Sequence, residues 1–360
     1  MSPTFDHGGN IFTMARQLGT QATRIADFSA SINPLGLSPL VRQAIIAALD
    51  SLVHYPDANH QELKEALADY HGVSPAAIVV ANGSTELIYR LPALIKGQRA
   101  LIVSPAFSEY RHALDQHHWE AHPFILPAAS GFELDLDVLE RTLGKGYDAL
   151  YLCNPGNPSG RFYPLAIIER VYNLCRASGT FLVLDEAFMD FCEYASAKQL
   201  IATADNAVVL RSMTKFFAIP GLRLGYAIAS EALAARLDAM GAPWSVNTLA
   251  LAAGVAALRD AEHSRRTIEF IQEERAWLVE QLSRFPALTV YPSDANFLLV
   301  ELTAGLTAAE LRERLLQYGI LIRDCANFTG LTPHFFRIAV RTREENERLL
   351  GGLEQILNKP

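Results

Sequence analysis

AVVLRSMTKFFAIPGLRLG, residues 207–225, is the stretch on which the reading of this chain turns. Its first four residues, Ala207–Leu210, are apolar on both faces, as in a strand covered by helices above and below. Lys215 follows shortly, with hydroxyls at Ser212 and Thr214 and a guanidinium at Arg223. A desolvated lysine amine attacks carbonyl groups to form a Schiff base. Hydroxyls and an arginine hold phosphate through hydrogen bonds worth about 1.5–3 kcal/mol each when charge-assisted. The segment therefore carries the parts of a site for a phosphorylated carbonyl compound.

Working outward, Ala77–Ala81, Ala100–Val103, Ala149–Cys153, Phe181–Leu184 and Leu224–Ala229 read as strands of the same kind. Helical periodicity fills the gaps, as in Leu165–Ala177 after Pro164. The expected fold is α/β, with a mostly parallel sheet between helices. In such sheets ligands bind outside the carboxyl ends of the strands. There the sequence places Asp185 of LVLDEAF, the turn NPGNPSG (Asn154–Gly160) with Asn157, and NGSTE (Asn82–Glu86). A carboxylate at such a place can pair with a protonated pyridine nitrogen. Backbone N–H groups at the helix start of NGSTE suit a phosphate, with Gly83 permitting close approach.

The last hundred residues change character. A long helix is expected from about Glu262 to Arg284, then strands around Leu288–Tyr291 and Asn296–Glu301 and a helix at 308–318. Short strands near Ile320–Arg323 and Phe336–Val340 precede a final helix from Glu344 to about Leu357. This order suggests an α+β lobe. A large domain is expected over 45–260, with 1–44 and 261–360 forming the small one.

Composition excludes several classes. The 360 residues carry 39 acidic against 31 basic side chains, a net charge of -8, and no Lys/Arg run longer than two. Nucleic-acid binding requires clustered basic residues, so it is not expected. Half of the residues are hydrophobic, ample for a large core, yet no apolar stretch is long enough to span a membrane. Cys153, Cys175, Cys192 and Cys325 form no C-x-x-C pair, and MSPTFDHGGN at the start lacks the pattern of a secretory signal. A cytoplasmic protein without a metal site is expected. His118 and His122, four apart, read as solvated rather than ligating, because H-E-x-x-H is absent. Ser212-x-x-Lys215 also matches a penicillin-binding motif, but the Lys-Thr-Gly and Ser-Asp-Asn that must accompany it are missing.

Taken together, NPGNPSG, DEAF and SMTKFFAIPGLRLGY resemble the motifs of fold-type I pyridoxal 5′-phosphate enzymes, in the branch containing histidinol-phosphate aminotransferases. The resemblance covers nearly the whole chain. It implies Lys215 as the Schiff-base lysine, Asp185 as partner of the pyridine nitrogen and Asn157 near the ring hydroxyl. It places Gly83, Ser84, Thr85, Ser212 and Arg223 around the cofactor phosphate and Phe107 against the ring. It further implies that Tyr55 of HYPDA reaches the phosphate from a neighbouring subunit, hence a homodimer.

The ends of the chain refine the expectation. HGGN (His7–Asn10), FSASINPLG (Phe28–Gly36), APWSVN (Ala242–Asn247) and RDCANFTGL (Arg323–Leu331) resemble the L-threonine-O-3-phosphate decarboxylase family of cobalamin biosynthesis. That resemblance implies that Arg323, His7, Gly8, Ser31 and Asn33 grip a substrate phosphate while Arg337 meets the carboxylate. Ser31 stands where the family pattern has asparagine. Phe188 stands where the aminotransferases usually carry a tyrosine that bonds the ring hydroxyl, which favours the decarboxylases. Histidinol-phosphate aminotransferase, or a related transaminase, is the alternative.

Overall fold

The computed structural model describes residues 7–357. Residues 1–6, where no secretory signal is expected, lie outside the described residues, as do 358–360. Strand β1 (Ala26–Asp27) comes first, followed by β2 (Ile78–Ala81), β3 (Arg99–Ser104), β4 (Glu120–Ile125) and β5 (Ala149–Cys153). Next come β6 (Phe181–Asp185), β7 (Ala207–Ser212) and β8 (Gly225–Ile228). Strands β2 to β8 form one seven-stranded sheet in the order β2-β8-β7-β6-β5-β3-β4. All neighbours are parallel except β8, which runs antiparallel to both β2 and β7.

The sheet is mostly parallel because its strands bury side chains on both faces. Along β6, Leu182 and Leu184 enter one apolar cluster while Val183 enters the other, the period-2 alternation of a pleated strand. Chain order reverses between β3 and β5, which opens a crevice at the carboxyl ends of these strands. Register carries Cys153 beside Asp185, and Ser212 beside Gly225. The turns after β5, β6 and β7 therefore emerge side by side.

One strand of this sheet is absent from the sequence reading. Strand β4 is an edge strand in which Glu120 and Ile125 are exposed. It contains Pro123, tolerated at an edge where no outer neighbour needs its missing N–H. His122 lies on β4, whereas His118 lies in the loop before it with φ +59°. The two share no helix face, and no group of three His, Cys, Asp or Glu suited to a metal occurs among the described residues.

The second sheet uses β9 (Leu288–Val290), β10 (Phe297–Leu302), β12 (Arg323–Asp324) and β13 (Phe335–Ala339), antiparallel in the order β12-β13-β10-β9. Between β10 and β12 the short β11 (Ile320–Leu321) pairs in parallel with β1. The single strand expected over Ile320–Arg323 is thus two, broken at Ile322 and shared between sheets. The long helix Ala261–Leu282 and the last helix Arg343–Leu357 pack with this lobe. Its most consequential register places Arg323 directly opposite Arg337.

Ser38 caps the helix Pro39–Ala47 by accepting the Val41 N–H, with Pro39 in the first turn. This helix packs on Thr248–Arg259, so the boundary expected after residue 44 falls inside a continuous element. Helix Thr248–Arg259 uses its small residues for packing: a Cβ on Gly254 would come within 2.7 Å of Leu224 and 2.9 Å of Leu63. No helix among the described residues is long and apolar enough to cross a membrane.

Candidate active site

A cavity of about 580 Å³ lies at the carboxyl ends of β3, β5, β6 and β7, closed from the far side by β12, β13 and the N-terminal segment. One end is a cup of hydroxyls. Ser84 and Thr85 open the helix Ser84–Leu94, Ser212 ends β7, and Thr214 stands 2.8 Å from it, oxygen to oxygen. Arg223 completes the cup. Gly83 has φ +83°, and a Cβ there would lie 3.0 Å from an Arg223 guanidinium nitrogen. Gly225 is required as well, since its Cβ would stand 2.2 Å from the Ser84 nitrogen. Both glycines bring the helix N-terminus and the arginine to one point, an arrangement that selects an anion.

Lys215 follows the cup on the single helical turn Met213–Phe216. Its amine is pushed down to about 8: burial leads, Arg337 and Arg223 add repulsion, and Asp185 opposes them. Asp185 itself is buried, which raises its carboxyl. Its oxygens accept hydrogen bonds from the Tyr110 hydroxyl at 2.5 Å and the Ala187 N–H at 2.9 Å. These fix the carboxylate at the foot of the cavity. Phe107 forms a wall, edge-on to Tyr110 with ring centres 5.9 Å apart. Phe188 also lines the cavity, edge-on to Phe297 at 4.9 Å, and offers no hydroxyl.

The opposite wall is cationic. Arg337 donates to the Asn157 side-chain oxygen and, at 3.0 Å, to the Ser29 carbonyl, with its guanidinium 5.0 Å over Phe297. Burial and neighbouring Arg323 push it down to about 10, against the opposing effect of Cys325. Arg323 donates to the Asn327 side-chain oxygen at 2.9 Å and lies over Phe328. Both arginines are buried and line the cavity. Like charges directly opposite on paired strands repel, so the pair is suited to an anion between or before them. The Ser31 hydroxyl also lines this region, buried and without a hydrogen-bond partner among the described residues.

Of the residues singled out in the sequence, the cavity brings together His7, Gly8, Ser31, Ser84, Thr85, Phe107, Asn157, Asp185, Ser212, Lys215, Arg223, Arg323 and Arg337. Gly83 sits just behind, beneath Arg223. Asn33 is a correction. Its amide donates to the Phe216 carbonyl and to Thr267, each at 2.9 Å, and its oxygen accepts from Leu35. Its own N–H donates to the Lys215 carbonyl at 3.0 Å. Asn33 is therefore a buried brace of the lysine turn, with no amide atom left for a phosphate. Tyr55 is 80% exposed, stacks on Trp244 at 4.7 Å and does not line this cavity.

The sequence reading assigned no role to Tyr110, Glu109, Ser29 or Asn327, all of which line or brace the cavity. Tyr110 stands three residues after Phe107, and its N–H donates to the Phe107 carbonyl at 3.3 Å in the turn that leads into the helix Glu109–Gln116. Asn327 and Ser29 act through loop geometry that leaves no periodic trace.

Residues 23–353 match the family model for aminotransferase class I and II. The chain is 42% identical to the threonine-phosphate decarboxylase of Salmonella typhimurium over 98% of this chain and 96% of that protein. It is 32% identical to the adenosylcobalamin biosynthesis bifunctional protein CobDQ of Leptospira interrogans, over 98% of this chain and 41% of that longer protein. Histidinol-phosphate aminotransferases are also relatives, at lower identity than the Salmonella protein. Among solved structures, the L-threonine-O-3-phosphate decarboxylase from Porphyromonas gingivalis superposes with a TM-score of 0.82 at 31% identity, covering 92% of this chain and 99% of that one. The chain belongs to the class I and II aminotransferase family.

Proposed function

We propose that this protein is a pyridoxal 5′-phosphate-dependent decarboxylase that converts L-threonine O-3-phosphate to (R)-1-amino-2-propanol O-2-phosphate and CO2, in cobalamin biosynthesis. The observation that carries this reading is the buried Arg323–Arg337 pair facing Lys215 across one cavity, because it calls for a substrate with more than one anionic group. A carboxylate and a phosphate on one small amine meet that demand. The similarity to threonine-phosphate decarboxylases and to a cobalamin biosynthesis protein supports the same choice.

The residues present fit the cofactor. The cup of Ser84, Thr85, Ser212, Thr214 and Arg223 suits its phosphate, and Asp185 suits a protonated ring nitrogen, which would offset the burial that raises the carboxyl. When bound, pyridoxal 5′-phosphate supplies a carbonyl that captures an amine and a conjugated ring that takes up the electron pair left by departing CO2.

The chain's own residues do the rest. Lys215, with an amine near 8, is neutral often enough at physiological pH to act as a nucleophile, and it can carry the proton that Cα takes up once CO2 has gone. Asp185 holds negative charge at the foot of the cavity, where a cationic ring is favoured. Arg323, with His7 and Ser31, grips the substrate phosphate, and Arg337 orients the carboxylate. Fixing both ends of the substrate fixes its torsion about Cα, which decides whether the carboxylate or the hydrogen lies in position to leave. Phe188 contributes an apolar wall without a hydroxyl. The active unit is a cytoplasmic homodimer in which Tyr55 reaches the neighbouring cup.

The test is direct. Purified protein with pyridoxal phosphate and L-threonine phosphate is expected to release CO2 and aminopropanol phosphate in equal amounts. A parallel incubation with histidinol phosphate and 2-oxoglutarate is expected to give no glutamate. Glutamate without CO2 would replace the decarboxylase with a transaminase.

A further inference from the structure

Glu109 is a buried carboxylate at the cavity wall, only 5% exposed, on the helix Glu109–Gln116. Three side chains converge on it. Tyr89 donates to one oxygen at 2.5 Å, and the other oxygen lies 2.7 Å from His7 Nε2 and 3.2 Å from His112 Nδ1. Burial raises the carboxyl, but the contacts from Tyr89, His7 and His112 outweigh it and hold the group below its ordinary range. The His7 ring lies 5.5 Å from the Phe107 ring, against the wall where the cofactor and substrate meet.

His7 also begins a segment clamped from the other side. The Gly9 N–H donates to the Ser29 hydroxyl at 2.8 Å, and that hydroxyl donates to Asp27 at 2.6 Å. A Cβ on Gly8 would sit 2.0 Å from the Ser29 carbonyl, so only glycine permits the approach. The same Ser29 carbonyl accepts from Arg337. The segment thus bridges Glu109 beside the large sheet to the loop that holds the arginine wall.

We infer that Glu109 is a positioning residue for substrate recognition: it seats His7 and, through it, the N-terminal strap against the cavity. The inference rests on the proposed substrate, since it sets the His7 ring, engaged by Glu109 through Nε2, on the wall that the substrate anion would meet. Glu109 touches neither the lysine turn nor the phosphate cup, so its loss is expected to weaken substrate binding and leave the chemical step intact.

The experiment pairs kinetics with hydrogen exchange on the holoenzyme. E109Q is expected to raise KM for L-threonine phosphate by about tenfold, the loss of one charge-assisted hydrogen bond, with kcat within about twofold. The double variant H7A/E109Q is expected to be no worse than H7A, because both remove one device. Y89F, which spares the His7 contact, is expected to keep KM within about twofold. Without substrate, amide exchange over residues 7–10 is expected to be faster in E109Q than in the wild type. Additive losses in the double variant, a fall in kcat at constant KM, or unchanged exchange would each overturn the inference. Should E109Q fold poorly, exchange in H7A reads the same clamp. A wild-type enzyme without decarboxylase activity would sink the proposed function instead, while the exchange comparison would still decide the role of Glu109.

Discussion

Lys215 shows how one residue acquires chemistry from its surroundings. A solvated lysine is fully charged at neutral pH, but here burial and two nearby guanidiniums bring the amine down to about 8. Only the neutral amine attacks a carbonyl. Uptake of pyridoxal phosphate by cofactor-free protein should therefore quicken as pH rises from 6.5 and level off above about 9, with a midpoint near 8. Stopped-flow absorbance checks this, and a rate flat across that range would show that the amine is not depressed. At this scale much was legible: Asp185 ends a strand, Lys215 stands just past one and Arg223 just before one, and strand ends are what periodicity marks well. Asn33 was misassigned because its motif fixes its position in the chain but not whether its amide faces the cavity or the Phe216 carbonyl behind it.

At the scale of elements, the turn after β6 is held by a buried charge cluster beneath the site. Arg211 of β7 contacts Asp190 at 2.9 Å, Glu186 at 3.3 Å and also Glu193. Glu186 further accepts from Ser196 and from the Ala197 N–H. Burial pushes Glu186 and Asp190 up to about 6, with Arg211 the main force holding them down. R211M would leave those carboxylates desolvated without a cation, costing about 3–5 kcal/mol of stability. Their folded-state pKa values would climb further above the unfolded ones, and stability from such groups is present at low pH and lost as pH rises. The variant should therefore be less destabilised at pH 5 than at pH 8 in denaturant titrations. Equal losses at both pH values would mean that packing, not charge, holds the turn. The sequence displayed DEAF but not Arg211 as its keeper, because a charged residue inside an apolar strand reads as solvated until its burial is known. Strand β4 escaped for the converse reason: an edge strand needs one apolar face at most, so its polar run and Pro123 resembled a loop.

At the scale of the whole molecule, a chain of net charge -8 concentrates Lys215, Arg223, Arg323 and Arg337 around a single cavity, so the local field favours anions against the overall sign. Outside that cavity, Ile46, Leu49, Leu52, Val53, Tyr55 and Trp244 stand exposed, Val53 at 82% and Tyr55 at 80%. Exposed apolar side chains following one another along a segment mark association surfaces more often than isolated ones do. If two copies meet through this strip, Tyr55 leaves its own surface and enters the neighbour's phosphate cup. V53D places a carboxylate in that contact and, at so exposed a site, should change monomer stability by no more than about 0.5 kcal/mol. It is expected to sediment as a monomer and to bind pyridoxal phosphate more weakly, because each cup loses its borrowed hydroxyl. Y55F separates the two effects: it should remain dimeric while its cofactor affinity falls by about five- to tenfold, the loss of one hydrogen bond. A V53D protein that stays dimeric would move the interface elsewhere. A dimeric Y55F protein with undiminished cofactor affinity would leave Tyr55 as part of the contact only, and the phosphate cup complete within one chain.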